Sequence, residues 1–305
     1  VKVLERKTAE VVGTFERHKH YGFVVPDDKK IGEDVFIKKD FFRNAQTGDK
    51  VVAKITAYPD DARSLEGKIT EVIAREGQPG SDVLSLIRSY GLYETFPSRA
   101  NAEAKARSKE TITDETLKDR LDLRDKTIFT IDGPTAKDLD DAVSIEILPN
   151  GNYLLGVHIA DVSHFVAEDG YLDKEALKRG TSVYLINRVI PMLPKALSNG
   201  SCSLNEGQDR LTLSCFMEID GEGKVVDHSI RESVIRSVAR MVYDDVSDIL
   251  EKEDPQLMAK YSSICEDIKL MGELAAILRH RRKQRGSLDF DISEAVITLD
   301  EEENP

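Results

Sequence analysis

The chain has 305 residues, 40% of them hydrophobic and 32% charged, with a formal net charge of −13. That apolar content supports buried cores and excludes a disordered polyelectrolyte, and no run approaches the roughly 18 consecutive apolar residues of a membrane-spanning helix. Three cysteines, Cys202, Cys215 and Cys265, are odd in number and widely spaced, which fits neither a disulfide framework nor a zinc site.

Residues 1–78 hold 15 basic and 14 acidic side chains, so the acidic excess lies entirely in residues 79–305. A negative sum therefore leaves room for local nucleic-acid binding. The opening Val-Lys-Val-Leu-Glu-Arg carries neither an initiator Met nor an apolar signal region, so the chain is expected to begin inside a larger protein. Five short β-rich runs follow, at residues 11–15, 22–25, 34–37, 51–55 and 67–73. Gly, Pro and Asp turns separate them, a pattern that predicts a small barrel. Period-2 alternation puts Tyr21 and Phe23 on one strand face, with Phe36 beside them. These rings are candidates for stacking on bases, with His18, Lys19, His20, Lys38 and Lys39 near phosphates. The competing reading places the same aromatics partly in the barrel core.

Residues 79–125 read as a connector, with a helix over 82–90, a charged stretch over 102–125 and a helix start at Thr111-Ile112-Thr113-Asp114. Residues 126–305 read as α+β. Hairpin turns are predicted at 148–152 and 220–223. Helical spacing runs from Pro255 to Arg285, with Asp254-Pro255 as the start and Gly286 as the stop. Arg279-His280-Arg281-Arg282-Lys283-Gln284-Arg285 closes that helix. Cations suit a helix C-terminus, but five within seven positions exceed what capping requires, so Arg281 and Arg282 are candidate phosphate contacts. His158 and His164 have no carboxylate or cysteine at ligand spacing and are read as structural.

The strongest chemical signal is Ile131-Asp132-Gly133-Pro134-Thr135-Ala136-Lys137-Asp138-Leu139-Asp140-Asp141-Ala142. Two carboxylates about 4 Å apart repel by roughly 4 kcal/mol at an effective dielectric near 20. A hard divalent ion, Mg²⁺ or Mn²⁺, relieves that repulsion with all-oxygen ligands and supports phosphodiester cleavage. A solvated acidic turn is the alternative on spacing alone. The order of a calcium loop is missing, as are a P-loop and a Ser or Cys nucleophile motif.

The run from Thr130 to Val143 resembles the active-site signature of the RNB family, exoribonucleases of the ribonuclease II and ribonuclease R type. The resemblance continues through residues 157–166 (Val157-His158-Ile159-Ala160-Asp161-Val162-Ser163-His164-Phe165-Val166), Arg179-Gly180-Thr181-Ser182-Val183-Tyr184-Leu185, Val189-Ile190-Pro191-Met192-Leu193-Pro194, Cys202-Ser203-Leu204-Asn205 and Val242-Tyr243-Asp244-Asp245-Val246. Tyr21-Gly22-Phe23-Val24 and Asp34-Val35-Phe36-Ile37 resemble the RNA-binding motifs of cold-shock domains, although Lys19-His20 and Lys38 depart from the usual residues there.

The resemblance implies a five-stranded OB-fold barrel over 1–78, a connector over 79–125 and an α+β catalytic domain over 126–305, truncated at its end. It implies that Asp132, Asp138 and Asp141 hold Mg²⁺ (Mn²⁺ as substitute) and that Asp140 is the residue whose loss costs most catalysis. Tyr184 matches the tyrosine that packs on the 3′ base, with Phe290 as its partner. The expected activity is 3′–5′ degradation of single-stranded RNA to nucleoside 5′-monophosphates by a cytoplasmic monomer. Residues 179–184 look closer to the ribonuclease R branch. The family's later arginine that assists cleavage and its flanking barrels lie outside these residues, so the fragment alone is expected to be slow or inactive. Two rival readings are an RNA-binding regulator without activity and a metal-dependent hydrolase of small phosphodiesters.

Overall fold

The computed structural model describes residues 9–59, 63–288, 290, 297 and 300. They divide into two compact units, each with its own core. One holds the described residues up to Thr95 together with Ser182–Ile190 and residues 297 and 300. The other holds Phe96–Thr181 and the described residues from Pro191 to 290.

In the first unit β1 (Glu10–Arg17), β2 (Tyr21–Pro26), β3 (Val35–Lys38), β4 (Lys50–Ala57) and β5 (Glu66–Ala74) close into a barrel of order β1-β2-β3-β5-β4. Each predicted run lies within one of these strands or overlaps it closely. All pairs are antiparallel except β3 with β5. Alternation sends Phe15, Val24, Val35, Ile37 and Val51 into the barrel, where burial removes them from water. Gly22 lies over this core: a Cβ there would come 2.5 Å from Phe15 Cε2 and 2.8 Å from the Glu16 carbonyl oxygen. Only glycine lets β2 pass so close to that ring. Helix α1 (Ser81–Ser89) follows, and its Arg88 bonds both oxygens of Glu71 on β5 at 3.1 and 3.2 Å. Residues 182–190 form a small antiparallel ribbon in which Tyr184 pairs with Val189.

The second unit is built on a seven-stranded sheet. Its strands are β6 (Leu121–Asp122), β7 (Phe129–Asp132), β8 (Asp141–Ile147), β9 (Tyr153–Ala160), β10 (Asp209–Ile219), β11 (Val225–Arg236) and β12 (Ala239–Val242), in the order β12-β7-β8-β9-β10-β11-β6. The inner pairs are antiparallel, and both edge pairs are parallel. Turns at 148–152 and 220–224 join β8 to β9 and β10 to β11, closed by Leu148 N–H on Asn152 O (2.8 Å) and Asp220 N–H on Lys224 O (3.0 Å). One face packs Ala142, Ala160 and Ile235 against Ala100 and Ala104 of α2 (Ser98–Arg107) and Leu172 of α3 (Tyr171–Arg179). The opposite parity carries Ile145 and Ile219 onto Leu274 of the long helix below. Phe129 and Met241 meet Ile249 of α4 (Tyr243–Glu251) and Ile268. The α+β class matches the sequence pattern.

The single helix expected from Pro255 to Arg285 is broken. Asp254 caps a short helix, Pro255–Lys260, by accepting from Gln256 N and Leu257 N, and a turn over 261–264 precedes α5 (Cys265–Gln284). Tyr261-Ser262-Ser263 are weaker helix formers, and the Tyr261 hydroxyl is drawn to Asp245 at 2.8 Å. Gly286 does end α5, with φ +93° and a pair of bonds, Gly286 N–H to Lys283 O and Ser287 N–H to Arg282 O, that satisfy the last carbonyls.

Candidate functional site

Asp132 closes β7 and Asp141 opens β8. Between them the chain makes a loop whose course is fixed from several sides. Leu139 is buried in the core between β8 and the helices, so its neighbours Asp138 and Asp140 turn outward. Ser203, fully buried, accepts from Leu139 N–H at 3.1 Å and donates to Lys137 O at 2.9 Å. Leu204 N–H reaches Leu139 O, and Ala160 N–H reaches Asp140 O, each at 2.9 Å. From β12, Arg240 Nη2 donates to the carbonyls of Ala136 (2.7 Å) and Pro134 (3.2 Å).

The carboxylates sense one another. Burial raises the pKa of Asp132 first, then the charge of Asp141, with Arg240 opposing both. Asp140 is also raised, by desolvation and then by Asp138 and Asp141. Asp132 Oδ2 is buried and has no hydrogen-bond partner among the described residues. A bare buried acceptor costs about 1–3 kcal/mol, and a cation satisfies it. Among the described residues no three His, Cys, Asp or Glu side chains come together as a ligand set for a metal ion. The donors are instead an open set of hard oxygens. That set suits a divalent ion that takes one or two carboxylates and fills its remaining positions with water or phosphate. The residues fit such an ion.

On the barrel, Tyr21 stacks on His18 (4.9 Å between centroids) and on Phe36 (5.9 Å), while Phe23 meets both Tyr21 and Phe36 edge-on. The register pairs Phe23 with Phe36 and Tyr21 with Lys38. Tyr21 is exposed, and Phe23 and Phe36 are half-buried, which leaves ring surface open outside the sealed core. Lys19 is exposed, and Lys38 forms a 3.2 Å ion pair with Glu66.

Tyr184 is exposed and belongs to the barrel's unit, whereas the aspartates belong to the sheet unit. Phe290 is exposed and lies outside any regular element. Arg281 is committed to the β10–β11 turn, where its guanidinium donates to Gly223 O, while Arg282 is exposed. His158 is structural: it is fully buried between Ser144 (3.0 Å) and Ser214 (2.6 Å), and burial pushes its pKa down to about 4. Burial likewise pushes the Cys202 thiol up to about 12, as expected of an inert core cysteine.

Sequence reasoning did not single out Arg240. Ser203 entered only as part of the Cys202-Ser203-Leu204-Asn205 motif. An arginine just before Met241-Val242-Tyr243, in a strand otherwise free of charge, was the available signal.

A family model described as RNB domain matches residues 120–305, and one described as cold shock domain matches residues 23–97. The chain belongs to the RNB-domain family. Across the RNB and cold-shock regions together it is 49% identical to ribonuclease R of Thermotoga maritima over 304 residues, 99% of this chain and 42% of that protein. It is 37% identical to ribonuclease R of Escherichia coli, over 99% of this chain and 37% of the relative. The chain thus spans less than half the length of these curated relatives. Its fold superposes on Mycoplasma genitalium RNase R in complex with double-stranded RNA with a TM-score of 0.85 and 27% identity, over 99% of this chain and 53% of that one. The yeast pseudonuclease Ssd1 shares the fold at a TM-score of 0.72 and 21% identity, over 92% of this chain and 35% of that one.

Proposed function

We propose that this chain is the cold-shock barrel and metal-binding part of a 3′–5′ exoribonuclease of the ribonuclease R type. Its substrate is single-stranded RNA, and its products are nucleoside 5′-monophosphates. The observation that carries the reading is the loop from Asp132 to Asp141. The charge of Asp141 raises the pKa of both Asp132 and Asp140, Asp138 adds to the rise at Asp140, and one oxygen of Asp132 is buried without a partner among the described residues. Asp132 and Asp141 would hold the ion, with Asp138 supporting the same centre, and Mg²⁺ is the hard cation this oxygen set favours, with Mn²⁺ as its substitute. When bound, it supplies Lewis acidity for the attacking water and neutralises charge at the phosphate.

The protein's own groups do the rest. Asp140, outward beside Leu139, orients the attacking water and receives its proton. Tyr184 and Phe290 each offer an exposed ring on which a base can stack. Tyr21, Phe23 and Phe36 offer a platform that accepts any base. Lys19, Lys38, Arg281 and Arg282 answer phosphate charge, Arg281 less so because the Gly223 carbonyl already engages it. The whole protein acts as a cytoplasmic monomer.

The test uses the full-length protein with a 5′-labelled single-stranded 20-mer and Mg²⁺. A ladder of shortened 5′-labelled products is expected. Intact substrate despite tight binding would make this an RNA-binding protein, and equal cleavage of a dinucleotide and the 20-mer would make it a small-phosphodiester hydrolase.

A further inference from the structure

The acidic loop is long, and its turn contains Gly133, which no neighbouring side chain crowds. Left to itself, such a segment spreads its carboxylates apart. Two side chains from distant parts of the sheet unit prevent this. Ser203 ties residues 137 and 139 through one hydroxyl that both donates and accepts. It is itself held by Arg210, whose Nε donates to the Ser203 carbonyl at 2.7 Å. Arg240 reaches the other half of the loop, bridging the carbonyls of residues 134 and 136 with one nitrogen. Its strand pairs with β7 so that Val242 faces Asp132, and its own N–H donates to Glu206 at 3.1 Å. Arg240 Nε is buried and finds no partner among the described residues. Arg240 therefore sits where it does for the loop carbonyls, at the cost of an unmet donor of its own.

We propose that Arg240 is a positioning residue. With Ser203 it clamps residues 134–139 from two sides, sets Asp132 against Asp138–Asp141, and so fixes affinity for the divalent ion without touching ion or RNA. This rests on the reading of the loop as a metal site. A rival role is purely electrostatic, since the guanidinium also acts on Asp132 as a positive charge. The two roles predict opposite signs. A charge that merely competes with the cation weakens its binding, so removing it tightens binding. Removing a clamp loosens it.

The experiment titrates Mn²⁺ into the full-length protein and follows free ion by electron paramagnetic resonance, with thermal melting as a control on folding. Arg240→Lys keeps the charge but sets its nitrogen one bond short of the position from which Nη2 bridges the two carbonyls. Arg240→Met removes both, and Ser203→Ala removes the second arm. The clamp predicts that all three raise the half-saturating Mn²⁺ concentration about tenfold or more, the scale of lost outer-sphere support. The KM for a 20-mer RNA stays near wild type. Unchanged Mn²⁺ affinity in Arg240→Lys and Ser203→Ala overturns the clamp, as does tighter binding in Arg240→Met. If Arg240→Met fails to fold, the other two variants decide. A wild-type protein that takes up no Mn²⁺ removes the loop's role and the clamp together, whereas normal uptake with unaltered variants removes the clamp alone.

Discussion

In the barrel, Tyr21, Phe23 and Phe36 meet on adjacent strands because a two-residue period and an antiparallel register bring them together. In the sheet unit, Asp132 and Asp138–Asp141 sit on an irregular loop whose course is set by Ser203 and Arg240, partners 64 to 106 positions away in sequence. One surface is made by local geometry and presents aromatic rings. The other is made by long-range hydrogen bonds and holds charges that repel one another. On the proposed function, the barrel contributes binding that is the same before and during reaction, whereas the loop contributes interactions that matter most in the transition state. The two regions are therefore expected to fail in different ways.

Mutation of each region separates them. Asp140→Asn should lower kcat by about 10²–10⁴-fold, the scale of a lost general base, while single-stranded RNA still binds near wild-type strength. Steady-state kinetics and filter binding on the full-length protein check both halves. A variant that lost affinity and kept kcat would break the comparison at once. The double change Tyr21→Ala/Phe36→Ala should do the reverse, raising KM for a 20-mer by about 5–150-fold, from about 1–3 kcal/mol of lost stacking, with kcat unchanged. A fall in kcat without a change in KM would show that the barrel does more than bind.

The same difference explains what the sequence disclosed. The five barrel strands and their aromatic face follow from periodicity and turn residues, so both were legible. The aspartates were legible as a motif, but their arrangement was not, because nothing near residue 136 announces that Arg240 and Ser203 hold the loop. The break at residues 261–264 was missed because apolar spacing continues through it, and the competing pull of Asp245 on Tyr261 comes from another helix. Arg281 was assigned from composition, and only the fold shows its engagement with Gly223.

The sheet unit also predicts a pH response. His158 is neutral and buried, with a folded pKa near 4, below the unfolded value of about 6.5. The unfolded chain therefore binds a proton first as pH falls. His158 contributes its full stability above about pH 6.5, loses it progressively down to about pH 4, and the loss reaches about 3 kcal/mol at most. Thermal melts of wild type and His158→Gln across that window should converge towards low pH, the variant showing the shallower slope. Parallel curves would mean that the imidazole is solvated in the folded protein.

The smallest effect concerns Lys19 and Lys38, which flank the aromatic face. Lys38 already faces Glu66 at 3.2 Å, and Lys19 has no carboxylate partner among the described residues. Binding of a phosphate by Lys19 therefore releases a counterion outright. For Lys38 part of that release is offset, because Glu66 has already neutralised some of its charge. Lys19→Ala should reduce the slope of log affinity against log salt by about 0.7, and Lys38→Ala by less. Isotherms for a single-stranded 20-mer at several salt concentrations read this directly. Equal slopes for both variants would mean that the Lys38–Glu66 pair opens when RNA arrives. The barrel would then resemble the acidic loop after all, its binding surface completed by ligand and not preset by strand geometry.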